Sequence, residues 1–433
     1  MAIEDDVLVV GGGLAGLSAA IRAARTGART RLVSHKESTL RQASGLVDVL
    51  GYAPRPVGAA AGEATPLSDP FEAFDDLPGE HPYEHVGREG VREGLAFFDD
   101  LVGDAYRGGH TDRNALVPTH GGAVKPTARY PASVADGLAS DDRAALLVGF
   151  DAVTDFSAEY AADHLRAAGV PFDVRGATVS FPGEVRADAA LTHLAHALDE
   201  NELVEHEGSR VGTRTALAEL VRPHLGDAER VGFPALLGMD HPEEVRASLS
   251  RLLDAAVFEV PMGPPSLPGM RLAARLRDAA DAAGVRVTTG VPVVGYDAEG
   301  DRIETVAVRH ERQRVPYRAE QYVLATGGLV GKGIGSDRSG VSEAVFDCHV
   351  PHPADRYDWF EDGAFDAHPF ARFGVRTDRD LRPLDATDEP HYENLRAAGA
   401  VLGGYDLAAE CSGSGVSLAT GVRAGTIAGE TTT

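Results

Sequence analysis

Residues 7–16 read Val7-Leu8-Val9-Val10-Gly11-Gly12-Gly13-Leu14-Ala15-Gly16. Three valines and a leucine in a row suit a short buried strand. Gly11-x-Gly13-x-x-Gly16 then turns the chain into an Ala-rich helix, Leu17 to Thr26, with Gly27 as its stop. Gly11 permits the tight turn, Gly13 lets backbone approach a phosphate, and Gly16 lets helix and strand pack closely. A phosphate there meets unpaired N–H groups and the positive end of the helix dipole, which adds Leu14 and Ala15 to the expected contacts. Thr30-Arg31-Leu32-Val33 is the next strand, and together these segments make a βαβ start.

Outward from this start, the next feature of a dinucleotide site is an acid about 20 residues on, where it binds a ribose hydroxyl. Here Ser34 ends the second strand, followed by His35, Lys36 and Glu37. Without the carboxylate an adenosine ribose loses its best partner, so FMN is favoured over FAD, with Glu37 as the substitute if FAD is bound. Ala325-Thr326-Gly327-Gly328 follows the apolar run Tyr322-Val323-Leu324. It resembles the returning glycine motif of two-dinucleotide-binding-domain flavoproteins. Residues 394–404, ending in Gly403-Gly404, are similar to the last flavin segment of that superfamily. A helix expected from about Val416 would place Gly413, Gly415 and Val416 at an N-terminus facing the flavin, where the dipole stabilises negative charge.

The fold class expected is α/β, a Rossmann-like FAD/NAD(P)-binding domain with an inserted α+β cap or substrate domain. Residues 1–84 form the first part of the flavin-binding domain, 85–260 the insert and 261–433 the returning part. Residues 54–80, rich in Pro, Gly and acids, read as a long loop. Helices are expected at 157–168, 242–256 and 272–283.

Charge excludes some functions. The balance is 41 − 66 = −25, which opposes binding to nucleic acid or anionic lipid. Lys36, Lys125 and Lys332 are the only lysines. Such an acid-rich, Lys-poor surface suits a high-salt cytoplasm, where screening removes self-repulsion. Cys348 and Cys411 are too few for an iron–sulfur cluster or a four-thiolate zinc site, and no metal is expected. They read as plain thiols. No run of apolar residues is long enough to span a membrane, and the acidic N-terminus is unlike a secretory signal. The chain reads as cytoplasmic, reaching the membrane only through a partner.

Several strings resemble the B subunit of anaerobic glycerol-3-phosphate dehydrogenases. They are residues 11–17, Ser44-Gly45-Leu46-Val47-Asp48-Val49-Leu50, Lys125-Pro126-Thr127, Gly149-Phe150-Asp151, Pro264-Pro265-Ser266 with Gly269-Met270-Arg271-Leu272, and Gly399 to Asp406 leading to Cys411. The resemblance implies a flavoprotein, usually with FMN, to which Ser44, Gly45, Gly403, Gly404 and Asp406 contribute. It implies two partners: a catalytic flavoprotein, the A subunit of such complexes, and an iron–sulfur, membrane-anchoring chain, their C subunit. The complex oxidises glycerol 3-phosphate to dihydroxyacetone phosphate and passes electrons to quinone. Such chemistry needs a base and a cationic site for the phosphate. His120 and His368 are candidate bases; Lys125, Arg129 and Arg271 are candidate anion ligands. Two other classes compete: a stand-alone FAD dehydrogenase of the fumarate-reductase-like type, and a non-catalytic electron-transfer or assembly subunit. An NAD-binding protein is a third, disfavoured by the flavin-type C-terminus.

Overall fold

The computed structural model describes residues 2–62, 64–183 and 190–432. The chain divides into two compact units. One comprises Met1–Thr39, Asp48–Gly103 and Arg275–Thr433, the other Leu40–Val47 and Asp104–Ala274.

The first unit is built on a five-stranded parallel sheet. Its order is Arg286–Thr289, Thr30–Ser34, Val7–Val10, Gln321–Leu324 and Leu395–Ala397. The strands Val7–Val10 and Gln321–Leu324 are buried along their whole length. Both faces of a parallel sheet are covered, so its inner strands are apolar runs and do not alternate. The first helix is Leu14–Arg25, and Gly27 beyond it takes φ +103°, the left-handed stop expected from sequence. A meander of Val293–Glu299, Arg302–His310 and Gln313–Arg318 precedes the Gln321–Leu324 strand.

The C-terminal helix, Gly413–Thr432, lies against the first helix with almost no side chain between them. A Cβ added at Gly421 would stand 2.6 Å from the Ala15 carbonyl oxygen, and one at Gly425 would stand 2.3 Å from that of Ala19. One at Gly429 would stand 2.4 Å from Thr26 Oγ1 and 3.1 Å from the Ala23 backbone. Both triplets advance four residues at a time in the same direction, so small residues form one continuous seam.

The helix Pro82–Val102 belongs to this first unit, whereas the domain limits expected from sequence put residues 85–102 in the insert. Its buried face includes Val91, Leu95, Phe98 and Val102, and Gly94 sits against the backbone of Leu418 and Ala419. That packing on the C-terminal helix assigns it.

The second unit has a four-stranded sheet in the order Ala256–Val260, Arg230–Pro234, Ala145–Phe150 and Val174–Val179. All its pairings are parallel, and the same unit holds three antiparallel pairs, Tyr106–Arg107 with Tyr130–Pro131, Ala115–Pro118 with Val124–Thr127 and Leu203–His206 with Ser209–Gly212. Helices alternate with the strands, as parallel crossovers require. Ala158–Ala167 is capped by Ser157. Pro242–Leu253 stops three residues before the expected end because Asp254 is left-handed, which frees Ala256 for a strand. Leu267–Ala282 begins earlier than expected: Ser266 Oγ accepts the Gly269 N–H, and Pro268 is tolerated in a first turn. Among the described residues of 54–80 there is one short 3₁₀ turn, Phe74–Asp76. Among the described residues no helix is long and apolar enough to cross a membrane. Cys348 and Cys411 do not form a disulfide.

One buried carboxyl in the first unit responds to pH. Glu343 is 1% exposed and accepts the N–H groups of Val345 and Phe346. Burial outweighs those bonds and raises its pKa to about 7. In the folded chain it therefore keeps its proton to higher pH than in the unfolded chain. Its contribution to stability falls as pH rises from about 4.5 to about 7 and is level beyond. Urea unfolding of wild type and Glu343→Gln across that range should show wild type losing ground to the variant as pH rises. Gly425→Val should lower stability by about 1–3 kcal/mol through overpacking of the helix seam. A matching drop in thermal midpoint is the readout, with a surface Ala→Val as control.

Candidate cofactor site

The register of the five-stranded sheet brings its carboxyl ends to one edge. Val10 is opposite Val33 and Leu324, Thr289 is opposite Ser34, and Leu324 is opposite Ala397. The segments starting at Gly11, Ser34, Gly290, Ala325 and Ala398 therefore leave together. Ligands of open parallel sheets bind at this edge.

The three motif glycines meet different surroundings. Gly11 has φ +120°, and a Cβ there would lie 2.1 Å from the Ala325 carbonyl oxygen. A Cβ on Gly16 would lie 1.9 Å from the Gly11 carbonyl oxygen. These two are packing positions. At Gly13 an added Cβ meets nothing within 4 Å. Gly13 is also the N-cap of the Leu14–Arg25 helix, and no side chain caps that helix end. The open space thus lies where unpaired helix amides and the positive dipole end favour an anion.

A cleft of about 410 Å³ continues from this point. Its walls include Gly11–Gly13, residues 34–39, Val291–Val293, Ala325–Gly327 and Lys332. Thr326 Oγ1 is buried and has no hydrogen-bond partner, the state of a donor kept for a ligand. Ser34 Oγ donates to the Lys36 carbonyl at 2.6 Å and so closes the turn after its strand. Glu37 lies on the same wall and is exposed. Lys36 and Lys332 also line the cleft, and neither ammonium is in an ion pair among the described residues. With 66 acids in the chain, two unpaired lysines in one cleft are a marked local departure. Lysine scarcity is visible in the sequence, but there it singles out Lys125. The convergence of Lys36 and Lys332 depends on the sheet.

Other expected cofactor residues lie elsewhere. Ser44 and Gly45 fall in the second unit, where Tyr106 Oη donates to the Gly45 carbonyl and a Cβ on Gly45 would strike Pro268 at 2.7 Å. Gly403 and Gly404 donate their N–H groups to the Val375 and Arg372 carbonyls and line other clefts of the first unit. The Asp406 carboxylate accepts the N–H groups of Ala408 and Ala409, a local turn. The C-terminal helix starts at Gly413, earlier than the Val416 expected. Gly415 N–H donates to the Asp48 carbonyl at 2.7 Å and Val416 N–H to that of Ser412 at 3.0 Å. Gly413, Gly415 and Val416 thus lie in the first turn of this helix, with the Gly415 and Val416 amides bonded to backbone.

The candidate catalytic residues are largely engaged in structure. Arg271 pairs with Glu259 at 2.7 Å, and Glu259 is fully buried and also accepts from Ser133 at 2.6 Å. Burial opposes the Glu259 charge, but Arg271 with its hydrogen-bonding neighbours outweighs it and holds the carboxyl below its usual range. Arg271 is therefore the counter-charge of a buried acid, which corrects its reading as a phosphate ligand. Arg129 is buried and donates to the Ala128 carbonyl. Lys125 lies on the Val124–Thr127 strand and has a partner of its own. His120, in the second unit, donates its backbone N–H to Pro261. His368 Nδ1 accepts the Glu361 N–H and its Nε2 faces the Ala364 carbonyl, so the ring pins a loop of the first unit. His196, Asp199 and Asp240 come together in the second unit, but the Asp199 carboxylate already accepts the N–H groups of Met239, Asp240 and His241.

Comparison with known proteins agrees with this architecture. The FAD binding domain family matches residues 6–416. The B subunit of a probable anaerobic glycerol-3-phosphate dehydrogenase from Halobacterium salinarum is 60% identical over 430 residues, 99% of both chains. The B subunit of the Vibrio cholerae enzyme is 30% identical, covering 97% of this chain and 95% of its own. That of Yersinia pestis is 31% identical, covering 96% of each. With a dinucleotide-type cleft at the sheet edge and this likeness along nearly its whole length, the chain belongs to the FAD binding domain family of flavin-dependent oxidoreductases, beside the B subunits of anaerobic glycerol-3-phosphate dehydrogenases.

Proposed function

We propose that the chain is the flavin-binding B subunit of an anaerobic glycerol-3-phosphate dehydrogenase complex and that its cofactor is FAD. The cleft beginning at Gly13 carries this reading. Its open glycine, uncapped helix end and partnerless Thr326 hydroxyl suit a diphosphate. Beyond them it extends to residues 34–39 and Val291–Val293, which is room for an adenosine half. This shape and the family match support FAD over the FMN favoured from Ser34. Glu37 remains the acid on that wall, and Lys36 and Lys332 add positive charge. When bound, the flavin supplies hydride-accepting chemistry.

In this reading the complex oxidises sn-glycerol 3-phosphate to dihydroxyacetone phosphate and passes electrons to quinone. The partners are a catalytic flavoprotein and an iron–sulfur protein that holds the assembly at the membrane. Two cysteines are too few to ligate a cluster, which supports placing the clusters in another chain. The commitment of Arg271 to Glu259, and of both His368 nitrogens to backbone, favours a second reading in which this chain relays electrons and the partner flavoprotein oxidises the substrate.

Chromatography of the flavin released on denaturation is the direct test. FAD supports the proposal; FMN removes the adenosine argument. Anaerobic mixing of the isolated holo-chain with glycerol 3-phosphate separates the two readings, since bleaching of the flavin occurs only if the chemistry is here. Gly13→Val should lower the stability of the flavin-free protein by no more than about 1 kcal/mol, because nothing lies within 4 Å of an added Cβ. It should emerge from purification without flavin. Lys36→Gln with Lys332→Gln should weaken FAD retention and flatten its salt dependence, while riboflavin binding is unchanged. Equal salt dependence in wild type and variant would remove the lysines from the site.

A further inference from the structure

The first unit carries an aromatic lobe that its own fold leaves uncovered. Tyr357, Phe360, Phe365 and Phe370 are 74%, 50%, 82% and 40% exposed, and Val57 beside them is 51% exposed. These five are half of the ten exposed large hydrophobic side chains among the described residues. The lobe is not a loose loop. Gly58 N–H donates to the Ala367 carbonyl, Ala367 N–H donates back to Ala59, and Arg55 donates to the Phe365 carbonyl. The turn Arg356–Trp359 packs against the turn Pro369–Arg372, and the His368 ring stacks on Phe370 at 5.1 Å. Beneath, His352, Trp359 and Phe373 meet edge to face or tilted. A cleft of about 460 Å³, lined in part by Val57, Pro353, Pro369 and Phe373, opens beside it. Rigid exposed aromatics next to a concavity are the anatomy of an interface hot spot.

We propose that this lobe docks a partner protein of the complex whose face is apolar at its centre and ringed by arginine or lysine. The proposal rests on the complex reading above. Charge selects the occupant. Asp358, Glu361 and Asp362 alternate with the aromatics along the chain and outnumber the exposed Arg356, and none of these acids is in an ion pair among the described residues. A second copy of this chain would bring the same acids into direct contact with them. A basic-rimmed partner meets complementary charge, which fixes register, while the rings supply affinity.

The experiment uses the native complex, isolated from source cells through a tag on this chain. Amide hydrogen exchange is compared between the complex and the chain alone. Slower exchange at residues 355–370 in the complex is the expected result. A complex whose exchange there is unchanged overturns the docking surface and leaves the complex reading intact. Isolation with no other protein bound overturns both. Tyr357→Ser with Phe365→Ser should weaken assembly roughly tenfold or more with flavin content unchanged. Undiminished assembly counts against the proposal, as does a homodimer of the lone chain that the double variant abolishes.

Discussion

Ala15, Ala19 and Ala23 lie directly against Gly421, Gly425 and Gly429, and the first unit depends on that contact. The seam joins opposite ends of the chain. It admits nothing larger than a hydrogen on one side and a methyl on the other, because backbone lies against backbone. With the C-terminal helix held there, Gly94 can bring in the Pro82–Val102 helix from the other direction. The parallel sheet beneath then has its cover, as an apolar sheet requires. A unit assembled from three separated chain segments is thus closed by its smallest residues.

The same residue type serves opposite ends at the cleft. Gly11 and Gly16 are glycine because backbone atoms already occupy the Cβ position. Gly13 is glycine with that position empty. Only the second case asks for a ligand. The charges show a similar division. Acids dominate the chain, and Arg271 is spent neutralising the buried Glu259. Lys36 and Lys332 have no such duty among the described residues and stand in the cleft at the sheet edge.

Much of this is legible in the sequence. The run Val7–Val10, the glycine spacing and the alanine-rich helix encode a strand, turn and helix whose interactions are nearly all local. The helix at Ala158–Ala167 is legible for the same reason, with Ser157 as its start signal. Limits of other elements escape a sequence reading where one backbone angle decides, as at Asp254, or where a serine turns out to cap, as at Ser266. Among site residues, isolated His, Lys and Arg are poor guides. A single cationic residue in a sequence carries no record of its counter-ion, and Arg271 has Glu259.

The sequence by itself determined the α/β class, the nucleotide-type turn and the likeness to a flavoprotein family, because these rest on short-range spacing and on strings kept in order. Tertiary structure decided which residues share a wall. Ser34, Val291 and Thr326 are far apart in the chain and meet because parallel register aligns the ends of their strands. It also decided that Gly415 and Val416 are closed by backbone partners and that the helix at 82–102 belongs with the C-terminus. Pairing of distant segments is a sum over many weak contacts, and no single stretch of sequence contains it.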